Sequence, residues 1–248
     1  MRLPYPKWIY IGDLSKPSTL EESIGILAGF SAQIEVHKIL ALSRYIPSSG
    51  LGWDDIHKIY GVIFRDLNHI SLLSLFGDPL KPLVRGSGDL DYALGSIAEI
   101  GDPGLSLSIT LSAVIPAYTA ILEFIARRTP LERVRKTFSE ILEGEKRDLE
   151  DLLGILSKRF RGSEAAEALE ERAVVLFASA GAEDALKISI ASIASGSILD
   201  EVSSNKALGD LYRNIDSARR YAAEKLYIDS GAVVSTLSRY GLSGFALC

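Results

Sequence analysis

A single cysteine, Cys248, stands at the last position of this 248-residue chain. That excludes a disulfide framework, a cysteine zinc site and an iron–sulfur cluster. Histidine is almost as scarce: with three in all, a three-histidine metal centre would use every one. Basic residues do not dominate either, 27 against 32 acidic for a net charge of −5. Nucleic-acid binding draws on a strong basic field, so no nucleic-acid partner is expected. Thermolabile side chains are few (one Gln, three Asn, one Met), a bias that fits a thermophile. Met1 to Pro17 has no basic-then-apolar leader, which makes a cytoplasmic location the expectation.

What the chain does have is apolar bulk. Hydrophobic residues make up 47% and charged residues 24%, enough for a deep core. From Gly104 to Leu122 no residue is charged. That length approaches a membrane span. Five hydroxyl residues and Pro116 dilute it, and no second stretch matches it, so a central helix buried by neighbours is expected rather than a membrane partner. Leu105 to Ser112 alternates apolar and hydroxyl residues, leaving a strand as the alternative there.

The remaining pattern reads as helix, and the fold class as all-α. Ser18 or Thr19, with Glu21 and Glu22 behind it, opens a helix that runs to about Ile46. A turn over 47–52 leads to a second helix, from about Asp54 to Phe76. A proline- and glycine-rich crossover, 77–103, follows, with a short helix near Tyr92 to Ile100. A third helix covers Leu105 to Arg127. Thr129-Pro130-Leu-Glu132 then restarts a fourth, which continues to about Phe160. Two tight hairpins joined by one long crossover form a four-helix bundle of ferritin-like layout over residues 1–160. Residues 161–248 supply further helices: one capped by Ser163, one over Ala182 to Leu199, and one from Ala207 to about Tyr240 with a break near Ser230-Gly231. These pack on the bundle or form a dimer surface, and a homodimer is the expected assembly.

Two helices carry polar residues inside an apolar stripe. The second buries Ile56, Ile59, Ile63, Leu67, Ile70 and Leu73, with Asp66 among them and His69 one turn on. The fourth buries Val134, Phe138, Ile141, Leu142, Leu149, Leu152 and Leu156, interrupted by Glu145 and followed by Asp148. Residues three apart share a helix face. A carboxylate there costs several kcal/mol unless it is paired, protonated or bound to a cation. A shift of 79 residues superposes Ile59, Val62, Ile63, Asp66, His69, Ile70 and Leu73 on Phe138, Ile141, Leu142, Glu145, Asp148, Leu149 and Leu152. An internal two-hairpin repeat would place both acids at one level.

Asp66-Leu-Asn-His69 and Glu145-Lys-Arg-Asp148 resemble the two Glu-x-x-His segments of rubrerythrin and other ferritin-like di-iron proteins, over residues 18–160. The resemblance implies a metal centre in the bundle core. One glutamate is here Asp66, and one histidine is Asp148. The family also carries a glutamate on the first and third helices. The first helix offers Glu35, with Gln33 and His37 nearby, at the level of Asp66. The third offers no carboxylate near Ser112, and Glu123 lies three turns away. The candidate ligands are therefore Asp66, His69, Glu145 and Asp148, with Glu35 or His37 as a fifth. They imply a single divalent ion (iron, manganese or zinc) or none.

The alternatives are structural. Glu35 precedes Lys38 by one turn, the spacing of a solvated ion pair, and His37 reads as a buried hydrogen-bonded imidazole. In this reading Asp66 pairs with His69, and Glu145 and Asp148 with arginines near Arg219 and Arg220. His57, beside Asp54, Asp55 and Lys58, belongs at the surface. Two functions follow: a metal-binding bundle with a redox role, or a metal-free structural or partner-binding bundle whose four polar residues form an internal hydrogen-bond and salt-bridge network, the reading that an arginine or lysine head group between Asp66 and Glu145 would select. A third, an apolar ligand in the core, uses the same residues. Gly86-Ser-Gly88, Gly241-Leu-Ser-Gly-Phe245 and Cys248 lack the context for a phosphate cradle, a nucleophile elbow or a thiol nucleophile.

Overall fold

The computed structural model describes residues 15–77, 103–104, 107, 110–157 and 180–226, and these are helices joined by short turns, with no strand among them. The chain is all-α. Helix α1, Leu20–Ser48, starts where Thr19 Oγ1 accepts the Glu22 N–H at 3.1 Å, while the Ser18 N–H reaches back to Glu22 Oε2 at 2.6 Å. This is the reciprocal cap that the sequence suggests. Helix α2, Trp53–Leu73, is followed by one 3-10 turn, Ser74–Phe76, and stopped by Gly77 at φ 129. A β-carbon would be strained there.

Helix α3, Ile115–Arg128, is preceded by a π-helical turn, Thr110–Val114. Leu107 and residues 110 onward are helical, so the alternation of leucine and hydroxyl residues does not make a strand where the segment is described. Two of the buried hydroxyls find partners, Thr110 bonding His37 at 2.9 Å and Thr119 Oγ1 donating to the Pro116 carbonyl at 2.9 Å, whereas Ser112 Oγ is buried without one. Helix α4, Glu132–Leu156, begins two residues later than the Thr-Pro signal suggests. Thr129 and Leu131 stay extended, and Thr129 Oγ1 accepts the Leu131 N–H at 3.2 Å rather than capping the helix proper.

Helices α5 (Ala180–Ser195), α6 (Glu201–Ala207) and α7 (Gly209–Lys225) complete the described chain. The expected short helix at Tyr92 to Ile100, the Ser163 helix and the segment beyond 226 fall outside the described residues.

Packing is sequential around a ring. Helix α1 lies against α2, α2 against α4, and α4 against α3, with thinner contact from α3 back to α1. Helix α5 covers α1 and α3, and α7 covers α3 with its π turn. This second layer explains why α1 and α3 are apolar on every side whereas α2 and α4 are amphipathic. Both Leu20–Ser48 and Thr110–Arg128 are long and apolar enough to cross a membrane by length and composition. In the fold, 67% and 82% of their apolar windows are buried.

Candidate functional site

Three helices each send a pair of polar side chains, three residues apart, to one interior point. Helix α1 contributes Glu35 and Lys38, α2 contributes Asp66 and His69, and α4 contributes Glu145 and Asp148. All six are buried. The Lys38 ammonium lies at the centre, 2.8 Å from Asp66 Oδ1 and in direct contact with Glu145 Oε1. Glu35 Oε2 is 3.6 Å from it and Asp148 Oδ2 3.8 Å. Glu35 and Lys38 are thus not a solvated pair; both are fully buried because α5 covers the far side of α1.

The cations that reach Glu145 and Asp148 come from α1 and α2. Lys38 takes Glu145, and Arg65 Nε donates to Asp148 Oδ1 at 2.5 Å while its head group extends towards Asp151. The imidazole of His69 turns Nδ1 to Glu35 Oε1 at 3.2 Å and to Glu145 Oε1 at 3.5 Å. Its opposite edge abuts the α4 backbone at Gly144, where a β-carbon would come within 2.6 Å of Cε1 and closer still to Nε2. Tyr118 of α3 occupies the side on which the sequence offers no carboxylate. Its hydroxyl donates to Glu35 Oε1 at 3.2 Å.

His37 is not part of this cluster. It leaves α1 toward the π turn, where its Nε2 bonds Thr110, and burial holds it at about 4, uncharged at neutral pH. Glu123 pairs at the surface with Arg127 and, at 3.7 Å, with Lys146.

The cluster sets four acids (Glu35, Asp66, Glu145, Asp148) against three cationic groups (Lys38, Arg65, His69). Burial works against the charge on each acid, and its effects divide. Burial drives Asp66 well above the usual carboxylate range. Glu35 is raised by burial and by the nearby Glu145 charge. Burial also opposes ionisation of Glu145, but Lys38 and His69 outweigh it and hold this carboxyl at about 2. For His69, burial disfavours the cation, yet Glu145 and Glu35 raise it to about 10. Among the described residues, Glu35 Oε2, Glu145 Oε2, Asp148 Oδ2 and both oxygens of Asp66 are buried without a hydrogen-bond partner, Asp66 Oδ1 having only its ion pair with Lys38.

These shifts carry a pH signature. His69 is raised from 6.5 to about 10, so its contribution to stability is complete below 6.5 and disappears as pH climbs through 10. Glu145 is lowered from 4.5 to about 2, so its contribution is complete above 4.5 and fades as pH falls toward 2. Thermal unfolding of the metal-free protein should show Tm declining between pH 6.5 and 10. His69→Gln should flatten that decline; an unchanged slope would show that His69 is not the titrating group.

The residues fit one metal ion. Glu35, Asp66, His69 and Glu145 each present a ligand atom, and these atoms all lie within 4.8 Å of one another. Asp148 is turned to Arg65 instead, and the Lys38 ammonium lies among the candidate ligands themselves, nearest Glu145 and Asp66 and 3.8 Å from Asp148. A buried Glu/Asp/His group that can hold a metal ion is therefore present, built around a lysine that the paired motifs alone do not reveal. Comparison of the chain with family models, curated proteins and solved structures returns no match.

Proposed function

We propose that this chain is a ferritin-like helical protein whose core binds one divalent cation through Glu35, Asp66, His69 and Glu145, with the Lys38 ammonium, which joins Asp66 to Glu145, as a second cation on the same carboxylates. One observation carries the reading: four ligand atoms from three helices converge within 4.8 Å, and the three acids among them each keep a buried oxygen without a donor. The order of elements supports the ferritin-like part, with hairpins α1–α2 and α3–α4 separated by a long connection. Carboxylate and imidazole donors suit iron, manganese or zinc, and iron or manganese would supply redox chemistry.

The chain's own residues hold that set from behind. Tyr118 orients Glu35, the α4 backbone at Gly144 seats the His69 ring, and Arg65 fixes Asp148 away from it. Burial raises Asp66 and Glu35 and the surrounding acids hold His69 as a cation, so cation binding is linked to proton release. Affinity for Mn(II) or Zn(II) should therefore rise as pH approaches the value of about 10 to which His69 is raised, with proton release visible as a buffer-dependent heat in calorimetry. Affinity independent of pH would contradict this linkage.

Protein purified without a tag should carry about one equivalent of metal, or bind one when Mn(II) or Zn(II) is added, and Asp66→Ala or Glu145→Ala should abolish it. Less than about a tenth of an equivalent, unchanged by either substitution, would favour a second reading, supported by the position of Lys38 itself. In that reading the ammonium, with Arg65 and His69, supplies the counter-charge the acids need, and the bundle is a metal-free scaffold whose internal ion network selects one helix register.

A further inference from the structure

The outer faces of α2 and α4 differ in kind. Neither helix packs closely on α5 or α7, although Glu150 of α4 accepts the Tyr221 hydroxyl of α7 at 2.6 Å. The outer face of α4 is charged, with Arg135, Lys136, Glu140, Glu143, Lys146 and Arg147 exposed. That of α2 exposes Trp53, Tyr60, Phe64 and Leu67, and the turn after it exposes Leu75, at 79, 46, 66, 49 and 49%. With His57 and Ser71, both exposed, positions 53, 57, 60, 64, 67 and 71 alternate in steps of four and three. This is the seam of a helix pair, and no charged side chain lies on it.

We propose that this seam is a homodimer interface, on which α2 of a second copy packs antiparallel about a two-fold axis near Phe64. The order of residues along the seam is self-complementary, as an isologous contact requires. Turning the helix about Phe64 sets Trp53 opposite the partner's Leu75 and Tyr60 opposite the partner's Asn68, one position from the partner's Leu67. It brings Phe64 beside the partner's Phe64 and the two polar positions, His57 and the partner's Ser71, together. Every ring meets an apolar neighbour, and the polar pair meets itself.

The area is of the right order. A fully buried aromatic side chain covers roughly 150–250 Å², so at these exposures the three rings present on the order of 400 Å², before the leucines are added. That equals the largest patch found on typical monomers. It is about half of the roughly 800 Å² per partner of a standard interface, the remainder falling to the polar flanks. Gly61, beside the seam, meets only the flexible end of Arg65 and leaves room for close approach.

Sedimentation equilibrium and paired cysteines test this in the full chain, with Cys248→Ser as background. The parent should have about twice the 26.9 kDa chain mass. Phe64→Asp should weaken the dimer at least a hundredfold, with helical circular dichroism unchanged because the side chain is exposed; Trp53→Lys serves as a second disrupting variant. Phe64→Cys should cross-link to itself, and Trp53→Cys should cross-link with Leu75→Cys but not with itself. A monomeric parent at 100 µM would overturn the proposal. So would a dimer indifferent to both disrupting variants, or self-linking of Trp53→Cys, which would indicate a parallel pairing.

Discussion

Lys38→Met is expected to destabilise the metal-free protein by roughly 3–5 kcal/mol, the cost of leaving buried acids without their counter-ion. The methionine keeps the length of the side chain, so packing loss is small and the effect reports charge. Asp66 and Glu145, both touching the ammonium now, would be left with His69 as their nearest cation. If the cluster is a one-ion site with the ammonium as a second cation on the same carboxylates, the same substitution has a second consequence. Asp66, Glu145 and Asp148 then face an uncharged space that a second divalent cation can enter. Saturating Mn(II) or Zn(II) should restore most of the lost stability, and stoichiometry should rise from about one to about two. Chemical denaturation with and without metal reads both outcomes. Destabilisation without metal rescue would mark Lys38 as the internal counter-ion of a metal-free network. A stability change under about 1 kcal/mol would show that the acids do not depend on Lys38 at all.

Gly144→Ala is expected to reverse the usual sign of a glycine-to-alanine change inside a helix. In a helix interior, alanine is normally favoured by about 1 kcal/mol. At Gly144 the added methyl would enter the space of the His69 ring, within 2.6 Å of Cε1. The ring, clamped between α4 and the acids of α1 and α4, cannot retreat without giving up Glu35 and Glu145. Overpacking of this kind costs about 1–3 kcal/mol. Metal affinity should fall by at least tenfold as His69 leaves its position. Gly154, on the same helix, provides the control: nothing lies within 4 Å of its virtual β-carbon, and Gly154→Ala should stabilise by about 0.5–1 kcal/mol. Equal effects at the two glycines would show that His69 is not seated against α4.

The two motifs at 66–69 and 145–148 were legible because α2 and α4 each have one solvated face. Against that polar background an apolar stripe is visible, and an acid inside the stripe stands out. The same logic fails for α1. Covered by α2 on one side and α5 on another, it has no solvated face to define an inside, so Glu35 and Lys38 resemble an ordinary ion pair at the spacing of a helix turn. A signal was nevertheless present: between Gly25 and Leu42 the only charged residues are those two, and a solvated flank would carry more. His37, two positions from Glu35, points to the π turn because neighbouring residues on a helix diverge by about 100°. Leu67 was assigned to the buried stripe of α2 by its spacing; it lies outside, because the apolar residues of α2 form two seams rather than one.

By itself the sequence determined the all-helical class, the described hairpins to within a few residues, and the presence of an acid on each of α2 and α4 in need of a counter-charge. These are local properties, set by caps, periodicity and the cost of burying a charge, and each is decided within a few turns of chain. Only the tertiary structure decided what meets those acids: Lys38 from a helix whose inner face has no periodic mark, Tyr118 where no carboxylate was found, and a glycine whose missing side chain makes room for His69. Which groups converge on one point depends on how three helices are rotated about their axes, and in α1, apolar all round, that rotation leaves no trace in the order of residues.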